Sequence, residues 1–343
     1  MPHDLLLSKL EHYGIRDKNL EWIRSFLTDR KQRVVLNGHT SPFIEVTSGV
    51  PQGGILSGLF FIIYMNDLYK HIHYCQVSLY ADDTKLFAPV NDMNDISRIQ
   101  LDIDAFHNWC QRWRLMLNPK KCFFIHYNPR NSKKNFNPDY RINAEKIERK
   151  TRVSDLGLII TEDLKFHGHV DKICKNAKGE ISRIRRSFMS RAPNFLSNVY
   201  KTYVRPHLEY VVQVWNPEYA QDKVKLEKIQ NRLTRLLPHG KVLSPTERNQ
   251  ALRITSHETR RLRGDLIQMY KLSQDDSLSR KQETRTRTNS KAIVIERSNT
   301  NLRAHSFHCR TSRTWNNLPE EIVSAPTLNA FKTKIDQYLE TSG

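Results

Sequence analysis

The sequence lacks the features that would place it in a membrane or outside the cell. None of its apolar runs approaches the roughly 18 residues that a membrane-spanning helix needs. The first residues, Met1-Pro2-His3-Asp4, show no basic segment followed by an apolar one, so a secretory signal is not expected. These absences predict an intracellular protein, located in the nucleus if it is functional.

Cysteine is scarce and scattered. The five cysteines are odd in number and form no Cys-x-x-Cys pair, which argues against a disulfide framework and a zinc knuckle. We expect reduced thiols at all five positions. They are Cys75, Cys110, Cys122, Cys174 and Cys309.

Acidic residues are outnumbered by basic ones. Lysine and arginine total 55, against 36 aspartate and glutamate residues, which gives a formal net charge of +19. Such a balance favours a polyanionic partner, either nucleic acid or an anionic membrane surface. A membrane partner is not expected, because the basic helix at 170–188 has an ordinary apolar stripe and lacks bulky exposed anchors. A length of 343 residues is enough for two or three packed units.

In the first part of the chain, helical and strand-like patterns alternate. Apolar spacing predicts helices, and short β-branched or aromatic runs predict strands. Asn37-Gly38 predicts a turn between two strands. The predicted helices are 3–13, 18–28, 59–68 and 94–116, the predicted strands are 33–36, 43–46 and 121–127, and 49–58 is a glycine-rich loop.

The segment 76–88 predicts a β-hairpin with two acids, Asp82 and Asp83, at its tip. Two carboxylates held by strands are a hard-oxygen platform suited to Mg²⁺. The alternative is structural, because Asp is common in turns and stays solvated there. The upstream loop around Gln52 and Gly53 favours the functional interpretation, since its small residues would let a nucleotide or template approach closely.

The second part of the chain is predicted to be mainly helical. An exposed connection is predicted around 128–139, where Asn, Pro, Ser and basic residues accumulate. Further helices are predicted at 170–188, 194–204, 223–237 and 327–339, with a break at Pro206 and a flexible loop at 273–290. One face of the 170–188 helix is basic, which indicates either a solvated surface or contacts with a nucleic-acid backbone. Its cations include Lys175, Lys178, Arg183, Arg185 and Arg186.

Several motifs together resemble reverse transcriptases of non-LTR retrotransposons of the jockey type. In the first part they are Pro51-Gln52-Gly53, Tyr64-Met65-Asn66-Asp67-Leu68, Tyr80-Ala81-Asp82-Asp83 and Leu115-Met116-Leu117-Asn118-Pro119-Lys120-Lys121-Cys122. In the second part they include Tyr203-Val204-Arg205-Pro206-His207-Leu208-Glu209-Tyr210, Arg260-Arg261-Leu262-Arg263-Gly264-Asp265 and Trp315-Asn316-Asn317-Leu318-Pro319. Gly58 stands where the family usually has proline.

The resemblance implies an α+β fold. A partial right-hand polymerase palm, an antiparallel sheet with helices, would occupy 1–128. A connection at 129–150, a thumb-like helical region at 151–240 and a C-terminal helical region at 241–343 would follow. The implied activity is RNA-directed DNA polymerisation on an RNA template with a DNA primer and dNTPs.

The resemblance also implies roles for individual residues. Asp82 and Asp83 would bind a pair of Mg²⁺ ions, and Lys121 would donate a proton to the leaving pyrophosphate. Pro51, Gln52, Gly53, Tyr80 and Ala81 would contact the nucleotide or template. Lys175, Lys178, Arg183, Arg185 and Arg186 would contact the nucleic-acid backbone.

The start of the sequence departs from the family pattern. In the family, a strand that contains a Phe-Asp pair precedes the Pro-His-Asp motif, and the Asp of that pair is a further metal ligand. By alignment this Asp would lie just before Met1. Asp4 begins the following helix, where we expect a capping role instead. We therefore expect an N-terminally truncated chain, without the fingers, that is inactive by itself.

Two other interpretations remain open from the sequence. The chain could be a non-catalytic remnant of a mobile element that holds RNA through its basic helical half. It could also resemble a group II intron maturase, which shares the Pro-Gln-Gly and Tyr-Ala-Asp-Asp motifs, although the segment that begins at Trp315 differs from that class.

Overall fold

The computed structural model describes residues 1–127, 136–274 and 289–341. The chain divides into two compact units, Met1–Lys150 and Thr151–Gly343. Helices dominate and the strands form small two-stranded sheets, which agrees with an α+β fold. Among the described residues, no helix is both long enough and apolar enough to span a bilayer. The flexible loop predicted at 273–290 falls mostly on 275–288, outside the described residues, as does the predicted connection at 128–135.

The described residues of unit 1 form four α-helices, two 3₁₀ turns and short strands. The helices are α1 (His3–His12), α2 (Asp17–Leu27), α3 (Ile55–Met65) and α4 (Met93–Arg112), and the 3₁₀ turns are Leu68–His71 and Pro119–Lys121. The strands are β1 (Lys31–Gln32), β2 (Val35–Leu36), β3 (His39–Thr40), β4 (Ile44–Glu45), β5 (Gln76–Tyr80), β6 (Asp83–Phe87), β7 (Phe123–Phe124), β8 (Arg141–Ile142), β9 (Glu145–Lys146) and β10 (Glu148–Arg149).

The turn predicted at Asn37-Gly38 is present, and the strands around it form two short pairs. Both turn residues have positive φ, 49° and 81°, so this is a two-residue turn that fixes Leu36 opposite His39. The apolar segment at 43–46 therefore cannot pair with 33–36. Its strand β4 pairs one step farther out, with β1.

Helix α1 packs its leucines against α3. Leu6, Leu7 and Leu10 share a buried cluster with Phe60 and Tyr64. The expected capping role of Asp4 is wrong, because Pro2 occupies the N-cap and no side chain caps the helix. Asp4 lies in the first turn and forms an exposed ion pair with Arg114 at 3.5 Å.

The segment after α4 differs from the predicted strand at 121–127. The Asn118 side chain accepts a hydrogen bond from the Lys120 backbone N–H, which starts a 3₁₀ turn instead. Only β7 is extended, and it pairs in parallel with β10. The described part of the predicted connection, 136–150, forms the β8–β9 hairpin and buries Tyr140, Ile142 and Ile147 in unit 1.

Unit 2 begins with a hairpin and continues as helices. Its strands are β11 (Arg152–Asp155) and β12 (Leu158–Thr161). Its helices are α5 (His167–Ser187), α6 (Pro193–Val199), a π-helical turn (Tyr200–Val204), α7 (Arg205–Glu209), α8 (Val212–Trp215), α9 (Ala220–Thr234), α10 (Pro245–Ala251), α11 (His257–Leu272), α12 (Asn301–Ala304), α13 (Phe307–Asn316), α14 (Glu320–Val323) and α15 (Leu328–Thr341).

The predicted helix break at Pro206 is wrong. The chain stays helical from α6 through the π-helical turn into α7. Proline has no N–H, and its ring clashes with the carbonyl four residues earlier in a regular α-helix. The wider π-helical turn directly before Arg205 accommodates the ring, so the helix changes pitch without ending.

Two hydrophobic clusters form the core of unit 2. One joins the apolar stripe of α5 to α6, α9 and the residues around Trp215. The other surrounds Trp315 and Phe331 and joins α11, α13 and α15. Apolar burial of this extent is the main stabilising contribution to such a unit.

Candidate polymerase site

The acidic hairpin is formed by β5 and β6 in antiparallel register. Tyr80 pairs with Asp83, so Ala81 and Asp82 are the two turn residues. Asp82 therefore lies at the tip and Asp83 begins the returning strand, rather than both acids lying at the tip. Ala81 has a φ of 51°, in the left-handed region that favours glycine. Holding a residue with a side chain there costs on the order of 1 kcal/mol.

The end of this hairpin is open to solvent. Tyr80 is 64% exposed, and Ala81, Asp82 and Asp83 are exposed as well. Within the described part of the chain, neither carboxylate forms a hydrogen bond or an ion pair. Both are therefore available to a ligand, and carboxylate oxygens are preferred ligands of Mg²⁺.

Asp102 of α4 holds the segment that leads into β5. Its carboxylate accepts hydrogen bonds from the backbone N–H groups of His73, Tyr74 and Cys75 at 2.9, 2.8 and 2.6 Å. Burial raises the pKa of Asp102, but the three backbone donors outweigh that effect, and its pKa lies below the ordinary value. Asp102 is thus an ionised anchor for the start of the acidic hairpin.

The hairpin packs on α3 and α4 through one face. Val77 and Leu86 form a cross-strand pair and contact a cluster that includes Met65 of α3 and Trp109 of α4. Helix α3 thus supports the hairpin, while its own N-terminus follows the glycine-rich loop.

The loop before α3 is a tight turn with a fixed geometry. The N–H of Gly54 donates to the Pro51 carbonyl at 3.1 Å, and Gly53 has a φ of 82°. The Ser57 hydroxyl donates to the same carbonyl at 2.6 Å. A Cβ at Gly54 would lie 2.7 Å from the Ser57 Oγ, so a larger residue there would displace the Ser57 hydroxyl from this hydrogen bond. Gln52 and Gly53 remain exposed at the outside of the turn.

The base of this loop is tied to the N-terminal residues. The N–H of Gly49 donates to the Met1 carbonyl at 2.8 Å, and the Gly49 carbonyl lies 2.8 Å from Nε2 of His3. These contacts restrict the loop at Gly49 and leave Gln52 free to contact a ligand.

The structure brings the predicted site residues together in two groups. Tyr80, Ala81, Asp82 and Asp83 share the hairpin, and Pro51, Gln52 and Gly53 share the turn before α3. In the described residues, no hydrogen bond or ion pair joins the two groups. Lys121 is separate and exposed at the end of a 3₁₀ turn, and the flanking Leu117 and Cys122 pack near Leu86.

The chemistry of the acidic pair fits Mg²⁺ in part. Asp82 and Asp83 supply carboxylate oxygens, which are suitable donors. Among residues 1–127, 136–274 and 289–341, no group of three or more His, Cys, Asp or Glu side chains is arranged to hold a metal ion. A two-metal site needs further oxygen ligands beyond this pair.

Helix α5 has the amphipathic arrangement that its sequence predicts. Val170, Ala177 and Ile181 are buried, and the predicted cations on the other face are exposed. The helix also carries acids, since Glu180 contacts Arg183 at 3.3 Å and the exposed Asp171 contacts Lys225 at 2.7 Å. The exposed cations are Lys175, Lys178, Arg183, Arg185 and Arg186.

Sequence reasoning missed a buried lysine that connects three helices of unit 1. Lys9 is 4% exposed, and its ammonium donates to Asp67 at 2.6 Å and to the Tyr64 carbonyl. The same ammonium lies 3.8 Å from the centre of the Trp113 ring and 4.9 Å from that of Trp109. Burial lowers the pKa of Lys9, while the hydrogen bond to Asp67 acts in the opposite direction.

Comparison with known proteins shows similarity to reverse transcriptases. Residues 1–168 match the family model described as reverse transcriptase (RNA-dependent DNA polymerase). An RNA-directed DNA polymerase from mobile element jockey of Drosophila melanogaster is 26% identical over 206 residues, which are 56% of this chain and 22% of that protein. The corresponding protein of Drosophila funebris is 24% identical over 224 residues, or 62% of this chain and 24% of that protein.

A further relative comes from another retrotransposable element. The retrovirus-related Pol polyprotein from type-1 retrotransposable element R2 of Popillia japonica is 28% identical over 130 residues, 36% of this chain and 22% of that protein. The chain thus spans a quarter or less of the length of these relatives. Residues 1–168 are thus similar to reverse transcriptases, and the chain as a whole is similar to the RNA-directed DNA polymerases of jockey-like, non-LTR mobile elements.

Proposed function

We propose that this chain takes part in RNA-directed DNA synthesis and that Asp82 and Asp83 are Mg²⁺ ligands. The observation that supports this most directly is the exposed, unpaired carboxylate pair on a strained hairpin within the family-matched residues. Strain of this kind persists where the surrounding structure holds it, and it is concentrated at functional sites. When bound, Mg²⁺ would activate the primer 3′-hydroxyl and neutralise charge on the leaving group.

The remaining site residues have proposed roles in binding. The turn that contains Pro51, Gln52 and Gly53 would contact the incoming dNTP or the template, because its glycines allow close approach. Tyr80 and Ala81 would lie beneath the primer end. Lys121 would act as a general acid towards the departing pyrophosphate, since its ammonium group is exposed and carries N–H protons that it can donate.

The palm and thumb assignments are part of the proposal. Unit 1 would contribute the palm region at 1–128, and residues 151–240 would act as the thumb. The basic face of α5, from Lys175 to Arg186, would hold the backbone of the RNA–DNA duplex by neutralising phosphates.

The metal site needs a further oxygen ligand facing the pair. Two-metal chemistry places ligands on both sides of the ions, and Asp82 and Asp83 occupy one turn. We propose that this ligand comes from outside the 343 residues. The 343-residue chain by itself would then bind Mg²⁺ weakly and incorporate no detectable nucleotide.

Primer extension on an RNA template with the purified chain tests this proposal. We expect no extension above background for the chain by itself. Templated incorporation that disappears in Asp82→Ala would support the assigned ligand and contradict the need for an additional one. Incorporation that survives in Asp82→Ala and Asp83→Ala would contradict the assignment of the site.

A second function has its own supporting observation. The exposed cations of α5 favour RNA binding that needs neither Asp82 nor Asp83. An Asp82→Ala variant that binds RNA as tightly as the parent chain, together with loss of binding in a variant with neutralised α5 cations, would support this second function.

A further inference from the structure

A cluster of four cations lies in unit 2, outside α5 and outside the family-matched residues. Lys201 belongs to the π-helical turn, and Arg205 lies one turn later at the start of α7. Residues four apart on a helix lie on the same face. The π-helical turn is a rare feature that is frequently found at functional sites. We name Lys201, Arg205, Arg253 and Arg260 the four-cation surface.

Arg253 occupies a backbone position that normally belongs to glycine. It follows α10 with a φ of 50°, and its N–H donates to Gln250 while the next N–H donates to Asn249, as at a helix C-terminus. A side chain is disfavoured there relative to glycine. The Ser197 hydroxyl donates to the Leu252 carbonyl at 2.7 Å, which fixes this helix end against α6.

One carboxylate is shared by two arginines of the surface. Arg260 donates two hydrogen bonds to Glu209 at 2.9 and 2.8 Å. The buried Nε of Arg205 lies 3.7 Å from Oε1 of the same Glu209, which makes an ion pair without a hydrogen bond. The nearby carboxylate of Asp336 is already bound by Arg263 in two hydrogen bonds. Glu209 is therefore shared by two guanidinium groups.

Within the described residues, Glu209 is the acid paired with this surface, so most of its positive charge is not neutralised. Lys201 and Arg253 are exposed, and neither has an ion-pair partner in the part of the chain that the structure describes. Burial lowers the pKa of Lys201, and the charges of Arg205, Arg260 and Arg253 lower it further. The four cations are therefore close enough to repel one another, with Glu209 as the acid bonded among them.

We propose that the four-cation surface binds phosphate groups of a nucleic-acid strand. Successive phosphates would contact the exposed Lys201 and Arg253, and the two guanidinium groups of Arg205 and Arg260, which share one carboxylate, would add to the attraction. Arginine and lysine together are suited to this, since the first gives directed donors and the second a mobile point charge. The site goes beyond the proposed polymerase function because it requires neither Asp82 nor catalysis.

Fluorescence anisotropy with a labelled single-stranded RNA tests the proposal on the full chain. The double variant Lys201→Gln/Arg253→Gln removes two exposed cations and leaves the Glu209 hydrogen bonds in place. Lys228→Gln/Lys271→Gln is the matched control, because both of those lysines are exposed and unpaired in the described residues. Circular dichroism would check that both variants fold as the parent chain does.

The expected result is a specific weakening of salt-dependent binding. Each lost contact between a cation and a phosphate of a single strand lowers the slope of log Kd against log salt concentration by about 0.7. The double variant loses two such contacts, so its slope should fall by about 1.4. Its affinity near physiological salt should fall about tenfold, as expected when two cations that bind phosphates directly are removed. The control pair should change both quantities by much less.

Three outcomes would overturn the proposal. The first is a double variant whose slope and Kd equal those of the control pair. The second is weaker tripolyphosphate binding with unchanged RNA affinity, which would indicate a site for a free polyphosphate. The third is weaker binding to phosphatidylserine vesicles with unchanged RNA affinity, which would indicate a lipid surface.

Discussion

Replacing Lys9 with methionine should destabilise unit 1 by about 3 kcal/mol. The methionine keeps the apolar stem of the side chain, so the change isolates the ammonium. The variant cannot form the hydrogen bonds to Asp67 and to the Tyr64 carbonyl or the cation–π interaction with the Trp113 ring. Breaking a buried ion pair costs about 3–5 kcal/mol. We take the lower end because Asp67 is 20% exposed and can be partly hydrated.

A second lysine of unit 1 provides the control for this loss of stability. Lys18 of α2 is exposed and without an ion pair in the described residues, so Lys18→Met should change stability by less than about 0.5 kcal/mol. Lys9→Met leaves the Asp67 carboxylate unpaired, and Asp67→Asn removes that charge. The double variant Lys9→Met/Asp67→Asn should therefore lose less stability than the two single variants lose in sum. A coupling of about 1–2 kcal/mol is expected from contacting partners.

Urea unfolding followed by tryptophan fluorescence measures these differences, since Trp109 and Trp113 adjoin the Lys9 ammonium. A destabilisation of about 3 kcal/mol in a unit of this size lowers Tm by roughly 6–12 °C. A Lys9→Met variant as stable as Lys18→Met, or a double-mutant cycle with zero coupling, would refute the argument that the buried ammonium connects α1, α3 and α4.

Three further predictions concern a glycine, an arginine and two histidines. Gly54→Ala should destabilise unit 1 by about 1–3 kcal/mol, because the new Cβ would meet the Ser57 hydroxyl. Gly58→Ala is the control, because Gly58 of α3 has open space around it, and it should stabilise the unit by about 0.5–1 kcal/mol. Equal shifts in melting temperature for the two variants would contradict this. Arg248→Met should cost about 3 kcal/mol, because the buried guanidinium donates to Thr234, Asn231 and two loop carbonyls; a urea midpoint like the parent's would be evidence against it. Burial lowers the pKa of His169 to about 4 and that of His257 to about 3. As the pH falls from about 6.5 to about 5, only the unfolded chain therefore binds protons at these two histidines. Unit 2 should then lose up to about 1.4 kcal/mol of stability per pH unit for each histidine. His169→Gln should reduce that slope by one histidine's share, and an unchanged slope in urea titrations would contradict the assignment.

The elements that the sequence predicts well are those with local determinants. The acidic hairpin is flanked by strand-forming residues and closed by a two-residue turn, so its pairing follows from the pattern at 76–88. The stripe of α5 repeats every three or four residues over 21 positions, which defines both its buried and its basic face.

The elements that the sequence does not predict depend on distant partners. Lys9 and Asp102 are charged, and a pattern of polar and apolar residues places both at the surface. They are buried because Lys9 meets Asp67 and Asp102 meets three backbone N–H groups near Cys75, contacts that sequence spacing does not contain. Pro206 would interrupt a regular α-helix, but the π-helical turn before it accommodates the proline ring and the helix continues.

For the candidate site, the sequence identifies the chemistry more fully than the geometry. The acids and their exposure follow from the motif around Asp82, and the residues of the Gln52 turn follow from their glycines. The left-handed backbone of Ala81 could not be predicted, because the local preference for glycine at that position argues against alanine.

Iron-directed cleavage tests the central claim, that Asp82 and Asp83 bind a divalent ion, most directly. Fe²⁺ would replace Mg²⁺, and ascorbate with peroxide would generate radicals that cut the backbone beside the bound ion. The account predicts fragments that end near the β5–β6 turn, competed by excess Mg²⁺, absent in Asp82→Ala/Asp83→Ala and retained in Asp29→Asn, an exposed turn residue of the same unit. Cleavage near the turn that persists in the double variant, or fragments only from other parts of the chain, would contradict it.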